Sequence, residues 1–498
     1  VNITLLLDIV SQALGERMAV TCEDRQLTYA DLVDRSGAFA ASIDDAATTV
    51  ALVDGNSATV PVALFGAARA GLPFAPVNYR LADDRLSALV DRLAPAAVVA
   101  DVTVAARLGE GAKTEPIPPA DLVDPVVGTT GEAEPAEGAA TDPDDVAVLL
   151  FTSGTTGEPK AAVLRHRHLT SYVLNSVEPF SAGEDEATLV SLPPYHVAGI
   201  MVVLSSVYAG RRLVYLPQFE PEAWVRLARD EAVTHAMVVP TMLRRIVEVL
   251  EADGGGLPSL RHLACGGGRM PSEVVEAALA LLPDVDFVNA YGLTETSSTV
   301  SVLGPEDHRV AVGSDDEAVR ARLGSVGRPL PALTVEIRDD DGAVVPAGER
   351  GEIWVRGEQV AGEYQEAGSV LVDGWFPTRD GGRFDEDGYL YIEGRVDDVI
   401  VRGGENLSPG EIEVVLAEHP SVAEAAVVGV PDVEWGEAVV AAVVRRPGAE
   451  VDEAELQDLV RSRLRSTRTP ERITFVDELP YNETGKLLRR TLRQDLAD

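Results

Sequence analysis

The chain has 498 residues, long enough for two or three domains, and its 81 acidic side chains against 42 basic ones give a formal charge of −39. So acidic a surface repels polyanions, which argues against nucleic acid as a partner. With 46% hydrophobic residues but no apolar run of about 18 or more, the chain reads as a soluble globular protein with no integral membrane segment.

The opening stretch VNITLLLDIVSQALGER reads as a short amphipathic helix; it lacks a basic leader and a small-residue cleavage site, so no signal peptide is expected. Two distant cysteines, Cys22 and Cys265, suggest neither a disulfide framework nor a zinc site, and point to a reducing, cytoplasmic setting. From 27 to 110, helical patterns (LTYADLVDRSGAFAASI, TVPVALFGAARAG) alternate with apolar strands (TVALVDG, LAPAAVVAD). Alternation of this kind predicts an α/β fold with a largely parallel sheet. Residues 111–145, rich in Pro, Gly, Ala and Glu, read as an irregular surface segment.

DVAVLLF, 145–151, is an apolar strand, and the alternation resumes from 185 to 290. From 333 to 395 it gives way to short β segments (LTVEIRDDDG, GEIWVRG, DGWFPTRD, DGYLYIEGR), a small and mostly antiparallel β subdomain. A boundary falls within RVDDVIVRGGENLSPGEIEVVLAEHP, where Ser408, Pro409 and Glu411 have the order of a helix start: cap, first helical position, and Glu three on. The last hundred or so residues read as a compact α+β domain.

FTSGTTGEPK, 151–160, follows the apolar strand. Successive Gly, Ser and Thr can aim N–H groups and hydroxyls at one point, a concavity suited to phosphate, with a lysine supplying charge. It is not the Walker loop, because no Gly-Lys-Ser/Thr closes it; a solvent-exposed flexible loop is the competing reading. Lysine is otherwise scarce: only Lys113, Lys160 and Lys486 occur, all other basic residues being arginine. NAYGLTET, 289–296, offers an aromatic ring for a base and a carboxylate suited to Mg²⁺ beside phosphates. Asp380 and Arg395 stand at strand ends, and a carboxylate suits ribose hydroxyls. TGK, 484–486, puts a lysine at a turn.

TSGTTGEPK, YGLTE, GWFPTRD, GRVDDVIVRGGEN and NETGKLLRR, in this order and over nearly the whole chain, resemble the adenylate-forming superfamily, and most of all its acyl- and aryl-CoA synthetase branch. The resemblance implies an α/β fold with a large N-terminal domain, 1–396, made of two parallel-rich α/β subdomains and a small β subdomain. A small mobile α+β domain, 397–498, would follow it. Thr152, Ser153, Gly154, Thr155, Thr156, Gly157 and Lys160 would cradle the ATP phosphates. Tyr291 would stack on adenine within the Asn289, Ala290, Tyr291, Gly292 stretch, with Gly266, Gly267 and Gly268 on the other side. Thr294 would touch the α-phosphate, Glu295 would hold Mg²⁺, and Asp380 and Arg395 would bind the ribose. Lys486 would reach the α-phosphate and substrate carboxylate from the C-terminal domain, which would turn about Asp397; Gly403 and Gly404 would flank the path of coenzyme A. His196 matches a position that gates the acid site.

The chain departs from the family pattern at Arg379, which stands where TGD is usual and would point to solvent or to a phosphate. RHRH, 165–168, reads as a solvated helix start and Trp435 as packing in the small domain. No acidic group for an amino acid ammonium stands out after HVAGIMVVLSS. Met201, Val202, Val203 and Leu204 suggest an apolar pocket, with an open floor at the CGGG of 265–268. The expected activity is ATP- and Mg²⁺-dependent ligation of a hydrophobic aryl, fatty or polycyclic acid to coenzyme A by a monomer or homodimer. Loading of a carrier protein, or activation of an amino acid, remains the alternative.

Overall fold

The computed structural model describes residues 1–108, 116–124, 142–152, 159–268, 270–402, 405–433, 435–464, 466–481 and 487–497. Ser153, Gly154, Thr155, Thr156, Gly157, Gly403, Gly404, Lys113 and Lys486 lie outside them, as does the Asp397 side chain. The chain divides into two compact units: Val1–Asp315 with Pro329–Thr334 and Val355–Phe376, and Asp316–Arg328 with Val335–Trp354 and Pro377–Asp498.

The first unit is built on two largely parallel sheets; the alternating pattern predicts the parallel strands, and the resemblance implies that there are two such sheets. In one, the strands run in the order Ser298–Leu303, Asp286–Leu293, His262–Gly266, His235–Val238, Ala187–Val190, Arg212–Tyr215, Met18–Cys22, Arg25–Thr28. The six consecutive strands from Asp286–Leu293 to Met18–Cys22 are parallel, and Ser298–Leu303 and Arg25–Thr28 pair antiparallel at the two ends of that run. The other sheet holds Ala96–Ala100, Thr49–Val53, Phe74–Pro76 and Val146–Thr152 in parallel, then Lys160–Arg165 antiparallel to the last. Helices cover these strands because both faces of a parallel sheet must be buried. The helix Tyr29–Ser42 begins at a capping box in which Thr28 and Asp31 satisfy one another's backbone N–H groups. The opening helix, Thr4–Leu14, buries Leu6, Leu7 and Val10 in the same core as Val203, Leu204 and Val207 of the helix Val197–Ala209.

One expectation changes here. His166 and His168 do start a helix, His166–Ser176, but both are buried, not solvated. His166 Nδ1 accepts from the Ile3 N–H at 3.3 Å, and His168 Nδ1 accepts from the Arg165 N–H at 3.2 Å. Burial pulls them down to about 4 and about 3 respectively, so both are neutral acceptors near pH 7. The hairpin of Met18–Cys22 and Arg25–Thr28 was hidden because its polar strand, RQLT, has no apolar alternation.

In the second unit, Thr334–Arg338, Gly351–Arg356, Phe376–Phe384 and Leu390–Arg395 form a four-stranded sheet. The C-terminal residues form another, with Val422–Asp432 and Gly436–Arg445 as a long hairpin and Arg472–Val476 parallel to its second strand. Its two faces bury alternate residues, as period-two side chains must. Val427, Val439, Ala441 and Val443 pack with Ile412 and Leu456; Ala426, Val428, Val440 and Ala442 pack with Leu492 and Leu496.

Pro409 opens the helix Pro409–Ala417 as predicted, but the Ser408 hydroxyl does not cap it; it donates to Glu393 O at 2.7 Å instead. Trp435 is exposed rather than packed, with the Arg402 guanidinium 5.5 Å from its ring centre. A last helix, Arg489–Leu496, begins after Leu487 and Leu488, which follow the NETGK segment. Arg489 donates to both oxygens of Glu413, at 2.7 and 3.0 Å, and to Val427 O at 2.6 Å. These bonds tie the residues that follow Lys486 to the helix Pro409–Ala417, through Glu413, and to the small sheet, through Val427.

Candidate functional site

The phosphate-loop residues that are described lie on two antiparallel strands, with Thr152 opposite Lys160. The Thr152 hydroxyl donates to Lys160 O at 3.3 Å. The backbone around the lysine is held from one side: Arg92 donates to Pro159 O at 2.9 Å and pairs with Glu366, whose carboxylate accepts from the Ala161 N–H. Ala161 is fully buried.

Tyr364, which no sequence signal singled out, joins two of the expected site residues. It lies on a short strand, Glu363–Tyr364, paired with Ala162. The Lys160 ammonium stands 5.6 Å from its ring centre, and its hydroxyl donates to Glu295 Oε1. Glu295 is itself buried, on the 3₁₀ turn Thr294–Thr296, and its carbonyl accepts from Ala361 and Gly362 N–H at 2.8 and 3.1 Å. A buried carboxylate, oriented by one donor and with further lone pairs to spare, has the chemistry of a Mg²⁺ ligand.

The turn beyond Tyr291 is tightly made. Asp286–Leu293 and Ser298–Leu303 pair with a bulge between Tyr291 and Gly292. Thr296 Oγ1 bridges Leu293 and Ser298 carbonyls at 3.1 and 2.9 Å, and Gln359 Nε2 donates to Thr296 O and Thr299 O. Asn289 is buried and Tyr291 half-buried at the C-terminal end of a parallel strand, where ligands of open α/β sheets bind. Gly266 ends the neighbouring strand beside Ala290, and Gly267 follows with φ +82°. A Cβ at Gly266 would come 2.8 Å from Ala290 O, so this glycine serves close packing of strands and does not open the floor of a pocket.

His196 is the residue before the helix Val197–Ala209, its ring 5.1 Å from that of Tyr195. Burial pulls it down to about 4, which keeps it neutral near pH 7. Between that helix and the sheet lies a cavity of about 520 Å³. Met201 and Val202 line it, together with Met237, Ala264, Val288 and Ala290. Val203 and Leu204 do not; they face the opposite way, into the core. No Asp or Glu lines the cavity among the described residues.

In the second unit, Asp380 and Arg395 are directly opposite on antiparallel strands and pair at 2.9 Å, with Asp380 buried. Arg379 is exposed and has φ +62°, a conformation that suits the glycine of the usual TGD. Asp397 falls in a 3₁₀ turn, Val396–Asp398, between the strands Leu390–Arg395 and Ile400–Arg402. Among the described residues, no helix is long and apolar enough to cross a membrane.

The AMP-binding enzyme family model matches residues 8–365, and the AMP-binding enzyme C-terminal domain model matches residues 411–486. The fatty acid–[acyl-carrier-protein] ligase ScoC of Streptomyces coeruleorubidus is 35% identical, over 95% of this chain and 92% of its own. Indoleacetate–CoA ligase of Aromatoleum aromaticum is 32% identical, over 97% and 95%. Among solved structures, o-succinylbenzoate CoA synthetase of Bacillus subtilis, in complex with its acyl-adenylate intermediate, superposes with a TM-score of 0.82 at 30% identity, covering 98% of this chain and 97% of that one.

Proposed function

Because the chain belongs to the AMP-binding enzyme family, and so to the adenylate-forming superfamily, we propose that it is an ATP-dependent ligase that joins a hydrophobic carboxylic acid to coenzyme A, releasing AMP and pyrophosphate. The observation that carries this reading is the 520 Å³ cavity with an apolar middle and no carboxylate among its described lining residues, which suits the body of such an acid. An amino acid substrate would need a buried counter-charge for its ammonium.

In this reading Tyr291 stacks on adenine, Asp380 and Arg395 hold the ribose, and Lys160 meets the outer phosphates. Glu295, aligned by Tyr364, holds Mg²⁺, which neutralises phosphate charge when bound. The neutral His196 closes off the reacting carboxylate without adding charge. Lys486 stabilises the charge that develops as the carboxylate attacks the α-phosphorus and pyrophosphate leaves. The thiol then attacks the acyl carbonyl, with AMP as leaving group. Rotation of residues 397–498 about Asp397 removes Lys486 between the two steps and brings Gly403 and Gly404 to the thiol path.

A second acceptor has specific support: the similarity to ScoC, an acyl-carrier-protein ligase, extends over 95% of this chain. One experiment separates the two. Pyrophosphate release is followed with ATP, Mg²⁺ and a panel of benzoates, cinnamates, fatty acids and amino acids, with and without coenzyme A. Release by one class with an acyl-CoA product supports the ligase. Adenylate without thioester points to a carrier protein, release only with an amino acid overturns the substrate class, and silence across the panel overturns the activity.

A further inference from the structure

The cavity changes character along its length, and the strand register shows how. Three neighbouring parallel strands pair His235 with His262 and His262 with Asp286; two residues on, Met237 with Ala264 and Ala264 with Val288; two further, Gly266 with Ala290. Side chains two apart on a strand share a face, so these are successive rungs of one wall. The facing helix contributes Ala198, Met201, Val202 and Ser205, a stripe at helical spacing. The middle rung is apolar on both sides. The rung where the strands begin is polar: His235 and His262, with Ser205, Ser206 and Arg211 beside them. Ala290 lies four positions along the strand from Asp286, which at about 3.3 Å per position makes a span of about 13 Å.

The polar end is organised. The two imidazoles stack with ring centres 4.5 Å apart and planes 28° from parallel. His235 Nδ1 is 2.8 Å from Thr234 Oγ1, and His262 Nδ1 is 3.5 Å from an Asp286 oxygen. Arg211 is fixed by two bonds to Glu186, at 3.0 and 3.1 Å. Among the described residues, neither histidine makes a hydrogen bond through Nε2. An apolar terminus laid against these groups would strip water from them and return nothing, whereas an oxygen substituent replaces the lost water contacts.

We propose that the acid carries an oxygen substituent at the end remote from its carboxylate, and that His235, His262 and Ser205 recognise it across the apolar waist of the cavity. This deepens the ligase reading and rests on it. The span matches a phenylpropanoid acid with a ring oxygen, or a medium-chain acid oxygenated at its terminus. The shared chemistry is the distal oxygen.

The test compares kcat/KM for pyrophosphate release, with coenzyme A present, on two matched pairs: 4-hydroxycinnamate against cinnamate, and 8-hydroxyoctanoate against octanoate. The oxygenated member of at least one pair is favoured by about tenfold or more, since a site built to hydrogen-bond a substituent discriminates against its absence; the pair that responds identifies the scaffold. His262→Leu and Ser205→Ala each shrink that preference to within about threefold, and His262→Gln, which retains a hydrogen-bonding edge, recovers part of it. Equal use of both members in both pairs, or a preference untouched by all three variants, overturns the proposal while leaving the ligase intact. Silence with every acid of the wider panel removes the ligase reading and this inference together.

Discussion

Replacing Gly292 by alanine tests how the YGLTE turn is built. Its Cβ would lie 1.7 Å from Ser298 O, 2.5 Å from Ser298 C and 2.9 Å from Thr299 Cα. All three are backbone atoms of the paired strand, so no side-chain rotation relieves the clash. The strands must part by about 1.5 Å to reach ordinary contact, and the bulge at Tyr291 and Gly292 is where they are paired. Overpacking of this kind costs about 3 kcal/mol, a shift in the urea midpoint easily measured. Because Thr294 and Glu295 follow at once, a displacement of that size also lowers pyrophosphate release by roughly a hundredfold. Gly37→Ala is the control: this glycine lies within the helix Tyr29–Ser42 with nothing within 4 Å of its Cβ, and its replacement stabilises by up to about 1 kcal/mol. A Gly292→Ala protein within 1 kcal/mol of wild type by urea unfolding, and within about threefold in rate, would refute the steric reasoning.

Tyr364→Phe removes the hydroxyl that orients Glu295; a hydrogen bond to a charged group contributes about 1.5–3 kcal/mol, so the expected outcome is at least a tenfold loss in kcat/KM with a raised Mg²⁺ requirement, and an unchanged Mg²⁺ titration counts against it. Arg379→Gly relieves a left-handed backbone at φ +62° and leaves stability equal or raised by up to about 1 kcal/mol; a clear loss in urea unfolding contradicts this. His166 and His168 are depressed by burial to about 4 and about 3, so the native state takes up fewer protons than the unfolded one below pH 6.5. Their contribution is therefore complete above that pH and lost as pH falls toward 4, by up to about 1.4 kcal/mol per pH unit for each. His168→Gln flattens the fall in stability measured between pH 7 and 5, and an equally steep fall rejects the assignment. Lys486→Ala slows adenylate formation by about a hundredfold or more but thioester formation from supplied acyl-adenylate far less; equal loss in both half-reactions argues against its removal between steps.

Local chemistry was legible in the amino-acid order. Apolar runs bounded by glycine and proline marked the parallel strands, and the five motifs in series marked the family, because a strand's period and a phosphate loop's composition are properties of a few consecutive residues. What depends on distant residues meeting was not legible. Tyr364 reaches Glu295 across 69 positions, and nothing in AGEYQE marks it. The RHRH pair looks polar on paper but is buried, because the N–H of Ile3, far away in sequence, meets one ring and the local Arg165 N–H meets the other. VAGIMVVL, 197–204, carries no polar side chain, and only the packing of its helix decides that Met201 and Val202 face the cavity while Val203 and Leu204 face the core. The sequence by itself determined most of the elements, the family and the residues suited to ATP chemistry. Tertiary structure alone decided which of them touch, and the shape and polarity of the acid cavity, because register and helix rotation are set by burial against partners hundreds of residues away.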